Sequence, residues 1–164
     1  MIQTEISPTP SIPMVYTSSK AEDTFALGER LALLLGKGSV VALRGPLGAG
    51  KTCLVKGIAR GLRVEEEVTS PTYTIVSEYE GELPEKNGLE KESVSFYHID
   101  AYRLNGNDDF SAIGGEEIIF GKGISVIEWS DRIPGFISPG ALRVDIGIDG
   151  DGKRLISINQ EAGK

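Results

Sequence analysis

Eight consecutive residues decide how this chain folds: Gly45-Pro46-Leu47-Gly48-Ala49-Gly50-Lys51-Thr52. An apolar run at 40–43 precedes them, and a helix-like segment at 52–62 follows. A strand, a glycine-rich turn and a helix N-terminus in this order present backbone N–H groups to an anion. Lys51 is placed to reach the β- and γ-phosphates of a nucleotide, and the Thr52 hydroxyl suits Mg²⁺. The stretch therefore predicts a nucleotide-phosphate site.

Length and composition indicate one globular domain. The chain has 164 residues, of which 40% are hydrophobic and 25% are charged, and both fractions are typical of globular proteins. Residues 1–13 contain three prolines among serines and threonines. We therefore expect a flexible lead-in at 1–13 and the folded domain at 14–160.

The sequence favours a cytoplasmic protein with no membrane partner. No apolar run approaches the roughly 20 residues that cross a bilayer, and residues 1–13 lack the basic and apolar segments of a secretion signal. The single cysteine, Cys53, fits a reducing compartment and a packing role, although a helix N-terminus lowers a thiol pKa. The net charge of −7 argues against nucleic-acid binding through the chain's own field.

Apolar periodicity predicts the other elements. Helices are expected at 21–35, 51–62, 105–113 and 116–120, and strands at 40–44, 73–79, 94–99, 124–129, 142–148 and 155–158. A short polar stretch at 81–93 joins two of these strands, which predicts that they are antiparallel. The predicted fold is therefore α/β, a single P-loop NTPase-like domain with a mixed, partly antiparallel sheet flanked by helices.

Two predicted strands end in an acid, Asp100 and Glu128. A carboxylate at the end of a strand lies at the sheet edge beside bound phosphates, and Mg²⁺ needs only a hydroxyl, one or two carboxylates and water. We expect at least one of the two acids near the metal. His98 alternates with Asp100 on the same strand, and a structural role is favoured over that of a general base.

The stretch Ser70-Pro71-Thr72 follows the helix after the glycine-rich loop. Several nucleotide hydrolases place a segment that orders on the γ-phosphate at this point. The alternative, slightly favoured from these residues alone, is a proline-stiffened loop whose hydroxyls cap nearby backbone.

The sequence leaves the roles of two other residues open. Trp129 packs in the core or borders the nucleotide, and Arg103 contacts phosphate or an acid.

Five stretches together carry a family resemblance. They are Leu27-Gly28-Glu29-Arg30-Leu31-Ala32, the glycine-rich loop, Ser70-Pro71-Thr72-Tyr73-Thr74, His98-Ile99-Asp100-Ala101-Tyr102-Arg103-Leu104 and Ile127-Glu128-Trp129-Ser130. In this order they resemble the bacterial TsaE (YjeE) family, which serves synthesis of threonylcarbamoyladenosine in tRNA. The resemblance covers residues 18–134, while the lead-in and the insertion at 82–93 depart from it.

The resemblance implies a small P-loop domain that binds ATP and Mg²⁺ and hydrolyses ATP slowly by itself. It implies two partners, a TsaD-like transferase and a TsaB-like subunit, which transfer a threonylcarbamoyl group to the adenine beside the anticodon. Hydrolysis by this chain would reset that complex between turnovers. The chain would meet tRNA mainly through the complex.

The resemblance also assigns roles by position. Nucleotide contacts fall on the whole glycine-rich loop (Gly45, Pro46, Leu47, Gly48, Ala49, Gly50, Lys51 and Thr52) and on Ser70 and Thr72 of a switch-like segment. The catalytic residues would be Lys51, Asp100 as the Walker-B-like acid, and Glu128. The metal ligands would be Thr52, Asp100 and Glu128. Trp129 matches a motif position whose role stays open.

Two other functions fit the same loop. A small-molecule kinase would transfer the γ-phosphoryl group to an acceptor, although we find no arginine-rich lid segment. A non-hydrolytic switch would use ATP only to shape a docking surface. GTP is disfavoured as the nucleotide, because no Asn-Lys-x-Asp segment follows a predicted strand.

Overall fold

The computed structural model describes residues 9–71, 73–85, 88 and 90–160. The strands are β1 Met14–Ser18, β2 Val40–Arg44, β3 Val76–Glu82, β4 Ser93–Asp100, β5 Ile124–Glu128, β6 Leu142–Ile148 and β7 Arg154–Gln160. The helices are α1 Ala21–Leu31, α2 Lys51–Gly61, α3 Asn107–Ala112 and α4 Gly115–Ile119, with 3-10 turns at Ala32–Leu34, Ser130–Arg132 and Pro134–Phe136.

All seven strands form one mixed sheet in the order β1-β7-β6-β2-β5-β4-β3. The central strands β6, β2, β5 and β4 are parallel, whereas β7, β1 and β3 pair antiparallel with their neighbours. The carboxyl ends of the parallel strands therefore meet at one edge. This confirms the predicted mixed α/β sheet and the antiparallel β3–β4 pair.

The central strands of the sheet are covered on both faces. On one face, α1 and α2 pack on β2, β5, β6 and β7 through side chains such as Leu27, Leu54 and Val126. On the other, α3, α4 and the 3-10 turn Pro134–Phe136 pack through Phe110, Ile119 and Phe136. The central strand β5 is buried along its whole length because it is covered on both sides.

Glycines let α1 and α2 approach with their backbones in contact. A Cβ built on Gly28 would lie 2.5 Å from the carbonyl oxygen of Leu54, and a Cβ on Gly57 would collide with the carbonyl oxygen of Phe25. The same contact fixes α2, whose first residue is Lys51. Both helices have 11 residues, and within the described ranges no helix is long and apolar enough to traverse a bilayer.

Several predicted boundaries were wrong. The strand expected at 73–79 begins only at Val76, because Ile75 has a φ of +67° and Tyr73 lies in a turn before it. That turn is closed by Ile75 N–H, which donates to the carbonyl oxygen of Pro71 at 2.9 Å. The first predicted helix ends at Leu31 and continues as a 3-10 turn instead of reaching residue 35. Of the expected lead-in, Pro10 is buried and Ile12 packs on the core.

We predict that Gly57→Ala destabilises the fold. The added methyl group would push α2 away from α1, and such overpacking costs about 1–3 kcal/mol of unfolding free energy. This exceeds the gain of about 1 kcal/mol that alanine brings to a helix. Urea denaturation should show a lower midpoint than in the wild type. Gly36→Ala is the control, because no atom lies within 4 Å of its Cβ position; equal midpoints for the two variants would contradict the prediction.

Candidate functional site

The glycine-rich loop joins the end of β2 to the start of α2 at the edge where the parallel strands end. Gly48 and Gly50 have φ values of +78° and +101°, which side chains with a Cβ rarely adopt. Gly50 is also the N-cap of α2, so the loop ends at the positive pole of an 11-residue helix. The loop therefore has the glycine conformations and the helix N-terminus that the predicted cradle requires, with Leu47 exposed at its tip.

Lys51 folds back over the loop that precedes it. Its Nζ donates to the carbonyl oxygens of Gly45 at 2.6 Å and Pro46 at 2.8 Å, and lies 4.2 Å from the centre of the Trp129 ring. Burial lowers the pKa of Lys51, while the charges of Glu128 and Asp100 oppose that shift. An ammonium has three N–H groups, so one remains for a ligand beyond these two carbonyls.

Glu128 connects the loop to the sheet. The Thr52 hydroxyl lies 3.0 and 3.1 Å from its two carboxylate oxygens and donates to them. On the other side, Nε2 of His98 lies 2.5 Å from Oε2 of the same carboxylate. His98 is 0% exposed and Glu128 is 4% exposed. The histidine thus holds a site carboxylate from inside the sheet, which agrees with the structural role that was favoured for it.

Asp100 lies beside Glu128, because the two residues are Cα partners of β4 and β5. Its carboxylate accepts a hydrogen bond from the Ser70 hydroxyl at 3.3 Å and another from the Tyr102 backbone N–H at 3.0 Å. Ser70 of the predicted switch-like segment therefore reaches the site. Thr72, the other hydroxyl of that segment, lies outside the described residues.

Trp129 follows β5 in a left-handed conformation, with a φ of +58°. This conformation is unusual for a bulky residue and turns the chain sharply after Glu128. The indole is half-buried, and its ring centre lies 4.9 Å from that of Tyr102. Trp129 therefore borders the site, and it also packs against the hydrophobic core on that face of the sheet. Arg103 lies elsewhere, with its guanidinium 4.8 Å from the Tyr73 ring centre.

Two clefts flank the loop. One, of about 440 Å³, is lined by residues 47–53, Ser70, Asp100, Tyr102, Glu128 and Trp129. The other, of about 330 Å³, is lined by Ser18, Ser19, Lys20, Ala21, Thr24, Gly48, Ala49, Gly50, Cys53, Gly152 and Arg154. Gly45 and Pro46 border neither of these and face a separate groove beside Asp145. The first cleft thus gathers every predicted catalytic and metal residue.

The first cleft has a donor set that fits Mg²⁺. Thr52, Glu128 and Asp100 offer hydroxyl and carboxylate oxygens, which this ion prefers. No group of three or more His, Cys, Asp or Glu side chains able to hold a metal occurs in the described part of the chain. A bound cation would therefore complete its shell with water or phosphate oxygens, as Mg²⁺ usually does.

Comparison with known proteins identifies the family. The sequence profile described as "Threonylcarbamoyl adenosine biosynthesis protein TsaE" matches residues 18–156. The chain belongs to the TsaE family. It is 40% identical to the TsaE protein of Treponema pallidum over 145 residues, covering 88% of this chain and 99% of that protein. With TsaE of Bacillus subtilis it shares 36% identity, and the match covers 84% of this chain and 79% of that protein.

A solved structure agrees with this membership. The crystal structure of Bacillus subtilis YdiB superposes with a TM-score of 0.71 at 29% identity, covering 91% of this chain and 86% of that one. The predicted resemblance to TsaE and the predicted fold class are therefore both confirmed. The family is one of tRNA threonylcarbamoyladenosine biosynthesis.

Two residues that make contacts at this site were absent from the predicted site residues. The Ser130 hydroxyl donates to the carbonyl oxygen of Leu43 at 3.1 Å, which ties the turn after Trp129 to the end of β2. Arg154 of β7 donates to the carbonyl oxygens of Gly48 and Ala49. Arg154 lies more than 100 residues from the loop, and no motif or local pattern marks it in the sequence.

Cys53 behaves as a packed residue. It is half-buried in the first turn of α2, and its thiol donates to the carbonyl oxygen of Ala21 at 3.3 Å. Burial raises the pKa of the Cys53 thiol, while the positive charge of Lys56 acts in the opposite direction. Burial thus acts against the lowering that a helix N-terminus exerts on a thiol pKa, and the contacts of Cys53 agree with the packing role expected for it.

We predict that Cys53 of this TsaE protein reacts slowly with iodoacetamide at neutral pH. A raised pKa leaves less thiolate than a free thiol has, so alkylation should be about 10-fold slower than that of glutathione at pH 7.5. The rate should keep rising above pH 9. In urea the same cysteine should react like glutathione. A native rate equal to or above that of glutathione would indicate a lowered pKa and contradict the prediction.

Proposed function

We propose that this TsaE-family chain is a weak, Mg²⁺-dependent ATPase that works within the complex making threonylcarbamoyladenosine in tRNA. The observation that carries the proposal is the pair of contacts from Thr52 to Glu128 at the foot of the glycine-rich loop. They support it because these hydroxyl and carboxylate oxygens, which suit a cation, lie in the same cleft as the glycine-rich loop proposed to hold the phosphates.

Different residues of the site bind the phosphates and the cation of ATP in this proposal. The loop N–H groups and Lys51 bind the phosphates, since Lys51 is already oriented by two loop carbonyls. Thr52, Glu128 and Asp100 would hold Mg²⁺, which when bound neutralises charge on the phosphate oxygens. His98 and Ser70 hold the two carboxylates in place. The cleft of about 330 Å³ beyond the loop is the proposed place of the nucleoside.

Weak intrinsic activity follows from the charges in the cleft. Among the described residues that line it, Lys51 is the sole cation, and it faces two carboxylates. Phosphoryl transfer is accelerated when an additional positive charge meets the transition state. A partner that supplies such a charge would stimulate turnover. We propose a TsaD-like transferase and a TsaB-like subunit as those partners, with hydrolysis resetting the transferase between turnovers.

The net charge of −7 is consistent with this division of labour. A chain that held tRNA by its own field would need a basic face to displace counterions from the phosphates. In the proposed complex the partners carry most of the tRNA contact, and this chain supplies the energy of ATP.

The central test is reconstitution with the two partners, the threonylcarbamoyl donor and tRNA. We predict that omitting this chain lowers multiple-turnover tRNA modification by about 10-fold or more, because the transferase is no longer reset. ATP turnover should rise when the partners are added, with free phosphate as the product. Unchanged modification without this chain would overturn the proposed role. A phosphorylated small molecule in place of phosphate would indicate a kinase.

A second test separates hydrolysis from binding. Glu128→Gln keeps the shape of the side chain but removes its charge, so ATP turnover should fall about 100-fold. Lys51→Ala should abolish ATP binding itself. Isothermal titration calorimetry measures binding, and phosphate release measures turnover. Glu66→Gln is the control, because it removes an exposed acid away from the site. Repeated tRNA modification by a Glu128→Gln protein that no longer hydrolyses ATP would favour the docking switch.

A further inference from the structure

Arg154 of β7 makes hydrogen bonds to the glycine-rich loop. It is the first residue of β7, and its Nε and Nη2 donate to the carbonyl oxygens of Ala49 and Gly48, each at 3.1 Å. Its Nη1 donates to the carbonyl oxygen of Gly152 in its own hairpin turn at 2.5 Å. The planar guanidinium thus joins two consecutive loop carbonyls to the β6–β7 hairpin.

These two hydrogen bonds set the direction of loop N–H groups. In a planar trans peptide the C=O of one residue and the N–H of the next point in opposite directions. Holding the Gly48 and Ala49 carbonyls towards Arg154 therefore turns the N–H groups of Ala49 and Gly50 towards the loop interior. The Ala49 N–H accordingly donates to the carbonyl oxygen of Pro46 at 3.1 Å.

The loop needs such an anchor because of its glycines. Gly48 and Gly50 flank the held peptides, and both have positive φ. Glycine exchanges among several backbone conformations at little cost, so these peptide planes can rotate unless something holds them. Lys51 holds the first part of the loop through the Gly45 and Pro46 carbonyls. Arg154 holds the second part.

The anchor itself is rigid. β7 lies between β1 and β6, and Arg154 pairs with Ser18 on one side and Ile148 on the other. Ser18 is buried, and its hydroxyl hydrogen-bonds that of Thr24 at 2.6 Å. The guanidinium therefore extends from a strand paired on both sides and not from a loose loop.

We propose that Arg154 is a positioning residue that keeps loop 45–52 in its anion-binding conformation before a nucleotide enters. This rests on the proposed function, since the anion is the phosphate chain of ATP. The hydrogen bonds of Arg154 go to backbone carbonyls and to none of the residues proposed for the chemical step. Because Arg154 also lines the cleft proposed for the nucleoside, its action on the loop is measured in the nucleotide-free protein.

The first measurement uses the nucleotide-free protein. Arg154→Gln keeps a polar side chain but cannot hold two carbonyls as the guanidinium does. Hydrogen–deuterium exchange in a peptide spanning 45–52 should become about 10-fold faster, while peptides from β2 and α2 stay unchanged. Lys153→Gln is the matched control, because it removes a positive charge from the same hairpin at an exposed side chain.

The second measurement is ATP affinity with Mg²⁺ by calorimetry, paired with steady-state turnover. Arg154→Gln should raise Kd and KM by about 10-fold and change kcat by less than about 3-fold, because the chemistry is untouched. Arg154→Lys, which can bond one carbonyl, should fall between the wild type and Arg154→Gln.

The outcomes distinguish this inference from the proposed function. Faster exchange across the whole chain would mean that Arg154 only stabilises the fold, and unchanged loop exchange or unchanged Kd would also overturn the inference. If the wild-type protein binds no ATP, the proposed function fails. Loop exchange then decides alone whether Arg154 holds the loop. Arg154→Lys supplies the answer if Arg154→Gln does not fold.

Discussion

The hydrogen bonds between Thr52 and Glu128 join the start of α2 to the end of β5, and the site depends on this junction. Glu128 is almost completely buried, and a buried carboxylate must be hydrogen-bonded to be stable. Thr52 supplies one partner and His98 supplies the other. The three side chains come from a helix and two strands. Their contact therefore requires the helix, the loop and the sheet to be assembled together.

The parallel register explains why these groups meet. Glu128 pairs with Leu43 of β2 on one side and with Asp100 of β4 on the other. The glycine-rich loop follows β2, so this loop and both acids lie at the same level of the sheet. The antiparallel strands outside this core contribute differently. β7 supports the loop from behind through Arg154, and β3 leads from the Ser70 segment into β4.

The sequence predicted the features that depend on local patterns. The loop, the helix after it and the strands that end in Asp100 and Glu128 were identified because each is marked within a few residues. The start of β3 was not predicted correctly, because Ile75 adopts a left-handed conformation. Apolar β-branched residues rarely adopt that conformation, so the sequence gives no indication of it. The partner of the Cys53 thiol could not be predicted either, because it lies on α1, a separate element.

Contacts that depend on the register between strands distant in sequence could not be predicted from the sequence. A structural role was favoured for His98, but its partner Glu128 follows only from the pairing of β4 with β5. Arg154 reaches the loop because β7 pairs with β6, and β6 with the strand that carries the loop. No periodicity in a single sequence encodes such pairings, because they are set by the arrangement of the whole sheet.

The position of Trp129 gives the protein a built-in optical reporter. It is the only tryptophan in the chain, so the indole emission of the whole protein arises from one ring at the edge of the cleft. That ring faces the ammonium of Lys51, the group expected to turn towards an incoming phosphate. The local electric field at the indole is thereby tied to the state of the lysine. Occupancy of the cleft can be followed by light emission without any attached dye.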